Sequence, residues 1–214
     1  MWVGVKFQSN VVHPFESEIT AALKTLVAKS PLIAFVTGHG ERACGDYGDR
    51  GYAAFAKNPT FRNALINQGF QVRDLTLTQP VPADVDVLVI SDMKTSLTLE
   101  EFANYSSFVD NGGNLIVLGE VKRQEHMNPV VEKLGLRFSD GILVAPSRQY
   151  LDDVIAARIT EGALKASPYF AQLIQRGYTV ITPSACAIEI IDSTKGFEIS
   201  EVLATNSQGS WIEY

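Results

Sequence analysis

The chain has 214 residues, 46% of them hydrophobic and 20% charged, which is enough for one good-sized α/β domain with a full core and too apolar for a disordered chain. Its 24 acidic residues outnumber 18 Lys and Arg, for a net charge of −6; no basic excess exists to neutralise a phosphate backbone, so nucleic acid is not an expected partner. Apolar runs such as Leu115 to Leu118 and Val87 to Ile90 fall far short of the roughly 20 residues that cross a bilayer.

Met1 to Asn10 lack the basic start and apolar stretch of a signal peptide. The last residues, Ser210 to Tyr214, stop on an apolar, strand-like note. Both ends are therefore expected to be cuts in a longer protein, with residues 1–15 a remnant of a preceding segment and 16–214 a single α/β domain. Ile19, Ala22, Leu23, Leu26 and Val27 fall on one stripe of an amphipathic helix over 16–29. Ser30-Pro31 ends it. Leu32 to Val36 is a continuous apolar run of the kind that forms a strand buried on both faces, and it turns abruptly into Thr37-Gly38-His39-Gly40-Glu41. Asn58-Pro59 predicts a helix start with Phe61, Ala64 and Leu65 on its buried stripe and Gly69 closing it. A second strand is expected over Phe70 to Leu77 and a third over Val85 to Ile90, the latter ending at Ser91-Asp92.

Thr98-Leu99-Glu100-Glu101 reads as a capping box, followed by the apolar stripe Leu99, Phe102, Tyr105, Phe108 and Val109 and the exit Gly112-Gly113. Leu115 to Leu118 is a fourth strand, and Asn128-Pro129 predicts a short helix running to Gly135. Strands alternating with helices at this spacing imply a parallel sheet covered on both sides. The expected fold is α/β, three-layer and flavodoxin-like. Past residue 136 the pattern shifts to short strands (141–145, 178–181, 185–191 and 197–203) with one helix near 167–176, expected to complete the sheet and add an antiparallel edge or β-ribbon.

In an open parallel sheet, ligands bind beyond the carboxyl ends of the strands. Three of the expected strands deliver Gly38, His39, Gly40, Glu41 and Arg42, then Ser91, Asp92 and Lys94, then Glu120, Lys122 and Arg123 to that edge. Plain structural readings stand beside the functional ones. The glycines serve tight strand-to-loop geometry, His39 bonds the loop backbone, and Asp92 and Glu120 form ion pairs with Arg42, Lys94, Lys122 and Arg123. The pattern is not a phosphate loop, and the lone Gly-x-Gly lacks the third glycine of a dinucleotide fingerprint. No cofactor is implied. His13 and His126 are scattered, and Glu41, Asp46 and Asp49 lack the alternation of a calcium loop, so no metal is expected. A nucleophile elbow is missing: the chain reads Leu118-Gly119-Glu120-Val121 where a Ser or Cys would stand. Cys44 lies in a loop with no evident His partner, and nothing in the spacing of Cys44 and Cys186 demands a disulfide.

The stretch Ile33-Ala34-Phe35-Val36-Thr37-Gly38-His39-Gly40-Glu41 resembles the "TGHGE" signature of the soluble domain of auxiliary proteins of ABC-type transport systems, which include the gliding-motility-associated GldG-like proteins. The helix from Glu18 to Leu26, the run from Asp110 to Leu115, and the stretch from Glu201 to Ser207 followed by Trp211 are similar too, so the resemblance spans roughly residues 16 to 212. It implies a fold like that of class I glutamine amidotransferases without their catalytic cysteine. It also implies a periplasm-facing domain whose membrane-anchored parent works with the permease and ATPase subunits of a transporter in the bacterial inner membrane. The expected role is non-enzymatic, with Gly38, His39, Gly40, Glu41, Arg42, Asp92, Glu120 and Arg123 contacting a partner or a small polar ligand. The alternatives are a hydrolase or sugar-modifying enzyme using Glu120 or Asp92 with His39, and a purely structural scaffold.

Overall fold

A computed structural model describes residues 19, 22, 23, 26, 29–147, 149–205 and 209–214. The expected remnant 1–15, His13, Glu18, Val27, Asn206 and Ser207 lie outside the described residues. Ile19, Ala22, Leu23 and Leu26 are helical, as their spacing predicts, but these four are all exposed rather than packed in the core.

The centre is a four-stranded parallel sheet in the order β2-β1-β3-β4. Strand β1 (Leu32–Val36) is buried at every position and β3 (Val87–Ser91) at all but the first. That is why both read as continuous apolar runs rather than alternating ones. Their side chains divide between two cores by the two-residue period of a strand. Leu32, Ala34, Val36, Leu88 and Ile90 join one cluster, and Ile33, Phe35 and Val89 the other. The first is capped by α2 (Leu99–Asp110) through Tyr105 and Val109 and by α3 (Gln124–Glu132) through Met127 and Val130; the second is capped by α1 (Ala53–Lys57) through Ala56, with Cys44 and Tyr52 beside it. The sheet is thus covered on both faces. Each fully buried aliphatic side chain contributes about 1.5–3 kcal/mol. Strands β2 (Gln71–Leu75) and β4 (Asn114–Leu118) flank it and are partly exposed.

Helix α2 starts as the sequence predicts. The Thr98 hydroxyl accepts from the Glu101 N–H at 3.3 Å, while the Glu101 carboxylate accepts from the Thr98 N–H at 2.9 Å and from its hydroxyl at 2.7 Å. Buried Tyr105 donates its hydroxyl to the Val130 carbonyl at 2.8 Å and so ties α2 to α3.

Two helix starts are corrected. Asn58-Pro59 opens no α-helix: the Asn58 side chain accepts from the Thr60 N–H and hydroxyl within a turn, Phe61 is exposed, and only a 3₁₀ turn (Leu65–Gln68) follows. Helix α3 begins before Asn128-Pro129 and carries Pro129 inside it. Asn128 instead bridges to the next strand, accepting from the Phe138 N–H at 2.9 Å and donating to its carbonyl at 3.2 Å.

The C-terminal strands do not complete the parallel sheet. Among the described residues they form three separate antiparallel sheets. These are β10-β7-β8 (Leu203–Ala204, Val154–Ile159 and Thr179–Pro183), β11-β6 (Trp211–Glu213 and Ile142–Val144), and β5-β9 (Leu136–Phe138 and Ile188–Ile190). Phe138, Leu136 and Cys186 still pack against the first core. Two short helices, α4 (Ala163–Ala166) and α5 (Phe170–Gln175), lie between β7 and β8. Among the described residues no helix is long and apolar enough to cross a membrane.

Candidate functional site

Because β1, β3 and β4 run parallel, the loops that follow them leave from one edge of the sheet. The chain goes from β1 to β2 on one side and then to β3 on the other, and the crevice at such a reversal is where open α/β sheets take ligands. Backbone bonds fasten the loops together: the Lys94 N–H donates to the His39 carbonyl at 2.8 Å, the Asp92 N–H to the Leu118 carbonyl at 2.9 Å, and the Arg42 N–H to the Ser91 carbonyl at 3.4 Å.

On this edge the expected residues sort into two clusters. In the first, Arg42, Arg50 and Arg123 surround Asp92 and Glu120. Arg42 Nη2 lies 2.8 Å from Glu120 Oε2 and Arg42 Nε 3.8 Å from Asp92 Oδ2. Arg50 Nη2 contacts Asp92 Oδ2 and lies 3.3 Å from Glu120 Oε2; Arg123 Nε lies 3.6 Å from Asp92 Oδ1. Asp92 is buried, with 3% of its side chain exposed, whereas Glu120 is 39% exposed. The Arg42 hydrogen bond, reinforced by the charges of Arg42, Arg50 and Arg123, holds the Glu120 carboxyl below its usual range. Arg42 also lies over the Tyr52 ring, 5.9 Å from its centre. Two rim residues carry left-handed backbone without being glycine: Asp92 at φ 51° and Lys122 at φ 67°, a conformation that costs about 1–3 kcal/mol and collects at functional sites.

In the second cluster His39 is held between two acids. Its Nδ1 lies 3.2 Å from Glu41 Oε1 and its Nε2 3.1 Å from Glu101 Oε2, while its backbone N–H donates to Glu41 Oε2 at 2.6 Å. Glu41 has no exposed side chain and Glu101 only 10%. The Thr98 backbone and side-chain hydrogen bonds, ahead of the charge of His39, lower the Glu101 pKa. The ring thus pins the β1 loop to the N-terminus of α2. Gly38 and Gly40 give the loop its path, with φ 128° and 77°; a Cβ at Gly40 would also meet the Lys94 side chain at 3.0 Å.

Two participants escaped the sequence reading. Arg50 sits in a polar loop where nothing marks it, and Glu101 is fully explained by its capping box until the His39 contact is seen. The acid–base pairing considered for His39 with Asp92 or Glu120 is not what the structure shows: the imidazole bonds Glu41 and Glu101, and the other two carboxylates are engaged by arginines. Cys44 is buried and Cys186 partly so, both with free thiols, and burial pushes each thiol pKa up. Among the described residues no group of three or more His, Cys, Asp or Glu is placed to hold a metal ion. Lys122 lines a cleft of about 510 Å³ together with Val121, Ile142, Val144 and Tyr214.

A family model described as an ABC-type uncharacterized transport system matches residues 30–151, the stretch that builds the parallel sheet and both clusters. The chain belongs to this family. Membership in the ABC-type transport family gives it an accessory role associated with transport. No curated protein matches the chain. Among solved structures it is similar to the mmIFT52 N-terminal domain, with a TM-score of 0.57 and 15% identity over 84% of this chain and 75% of that one. At that identity the likeness is one of fold.

Proposed function

We propose that this member of the ABC-type transport family is a non-enzymatic, extracytoplasmic auxiliary domain of the GldG-like kind, which binds a transporter subunit or a small polar ligand at the rim of its parallel sheet. The observation that carries this reading is the convergence of Arg42, Arg50 and Arg123 on Asp92 and Glu120 where the sheet reverses its winding. Partly exposed guanidiniums at such a crevice recognise polar and anionic groups directionally. The strand order and the Glu120 found where a nucleophile would stand support the further reading of a flavodoxin-like, amidotransferase-type fold put to binding. A periplasm-facing position on a membrane-anchored parent, beside permease and ATPase subunits, completes the proposal.

The test is co-purification with the detergent-extracted permease. The double variant Arg50→Ala/Arg123→Ala, which leaves Arg42 on Tyr52 undisturbed, should reduce capture by about tenfold or more, the scale expected for charge-assisted contacts. Arg62→Ala, on an exposed turn away from the rim, should change nothing. Undiminished capture by the double variant, with its circular dichroism intact, overturns the assignment of the rim as the partner-binding surface.

A further inference from the structure

The two carboxylates within the arginine cluster are not equivalent. Asp92 is buried, and all three arginines approach it. It is the fixed counter-ion around which they are gathered, and a charge so placed is costly to leave unpaired. Glu120 belongs to the outside. Its side chain is 39% exposed, and it is met by Arg42 at 2.8 Å and Arg50 at 3.3 Å. Arg50 and Arg123 are 42% and 36% exposed, and each guanidinium carries more N–H donors than these contacts use. Three cations face two anions, so one positive charge in the cluster is unmatched. Asp46 and Asp49 lie on the same loop as Arg50 but do not offset it: neither makes an ion pair with these arginines among the described residues, and Asp46 accepts from the Gly48 N–H at 2.8 Å instead.

From this asymmetry we infer that the cluster is a receptor for a carboxylate group and that Glu120 occupies it as an internal stand-in. The inference rests on the rim reading above and names its ligand chemistry. A carboxylate is the fitting class because the resident guest is one, and because the planar guanidinium fork matches two carboxylate oxygens. The incoming group takes the place of Glu120, whose side chain swings into solvent, while Asp92 stays and keeps the arginines in position. The exchange trades one carboxylate for another, so the native chain binds weakly and removal of Glu120 frees the seat. The group has two sources with the same chemistry: an acidic side chain on a transporter subunit, or a free small carboxylate.

Titration of the 214-residue chain with succinate, followed by calorimetry, tests this. Glu120→Ala should bind succinate about tenfold more tightly than wild type, Glu120→Gln should also gain, and adding Arg50→Ala/Arg123→Ala to either should abolish the gain. If Glu120→Ala also strengthens permease capture, and succinate competes with it, the source is an acidic side chain of the subunit. If succinate binding rises and capture does not, the source is a free carboxylate. Either result supports the inference. Succinate binding by both Glu120 variants no tighter than wild type overturns it, and if capture is still lost in Arg50→Ala/Arg123→Ala, the rim reading survives without it. Should Glu120→Ala gain succinate binding while Arg50→Ala/Arg123→Ala leaves capture unchanged, the partner reading falls and the carboxylate seat stands.

Discussion

One carboxylate oxygen of Glu101 serves three donors, accepting from the Thr98 N–H, the Thr98 hydroxyl and His39 Nε2. All three bonds favour its charged form, and the folded-state pKa falls below the ordinary 4.5. A group whose pKa is depressed by folding contributes stability that is fully present above its unfolded value and is lost as pH drops through the folded one. The Glu101→Gln variant should therefore show a shallower fall of Tm than wild type between about pH 5 and pH 3. Scanning calorimetry across that window checks it, and parallel curves for the two proteins would show that the bonds carry no net charge preference. The capping half of this arrangement is visible in the sequence, because a Thr and a Glu three residues apart before an apolar stripe have a local physical meaning. The His39 half is not, because it joins residues 62 positions apart, and no local spacing encodes that. Arg50 is hidden for the same reason: its partners Asp92 and Glu120 come from loops that only the parallel sheet brings together.

At the level of elements, the sequence is most legible where burial is most complete. Strands β1 and β3 and helix α2 announce themselves because long buried runs and a satisfied cap leave little choice of conformation. Asn58 and Asn128 mislead because a side-chain amide that caps a helix can equally close a turn or bridge to a strand, and here it does the latter two. Strand β7 is missed although Ile155, Ala157 and Ile159 alternate faithfully toward the interior, since two of its six side chains are alanines with weak strand preference. The join between α2 and α3 depends on one buried hydroxyl. Tyr105→Phe keeps the ring beside Phe102, whose centre lies 5.7 Å away, but strands the Val130 carbonyl. The expected cost is about 1–2 kcal/mol, read as a lower urea midpoint with unchanged slope.

Across the whole molecule, burial is uneven. The two cores gather on β1 and β3, whereas β8 and β9 expose Val180, Ile181, Ile188 and Ile190. Hydrogen exchange should follow that gradient. The amides of Ile33 to Val36 and Leu88 to Ile90 should be the last to exchange, and those of β8 should go early; the reverse order would mean that the antiparallel sheets, not the parallel one, hold the domain together.

Every group of the charged rim, from Gly38 to Arg123, precedes α3, inside the stretch that the family model spans. Among the described residues, the antiparallel sheets that follow supply none of them. A change confined to the surface of those later ribbons therefore removes no charged group from the rim, although Phe138, Leu136 and Cys186 keep them joined to the first core.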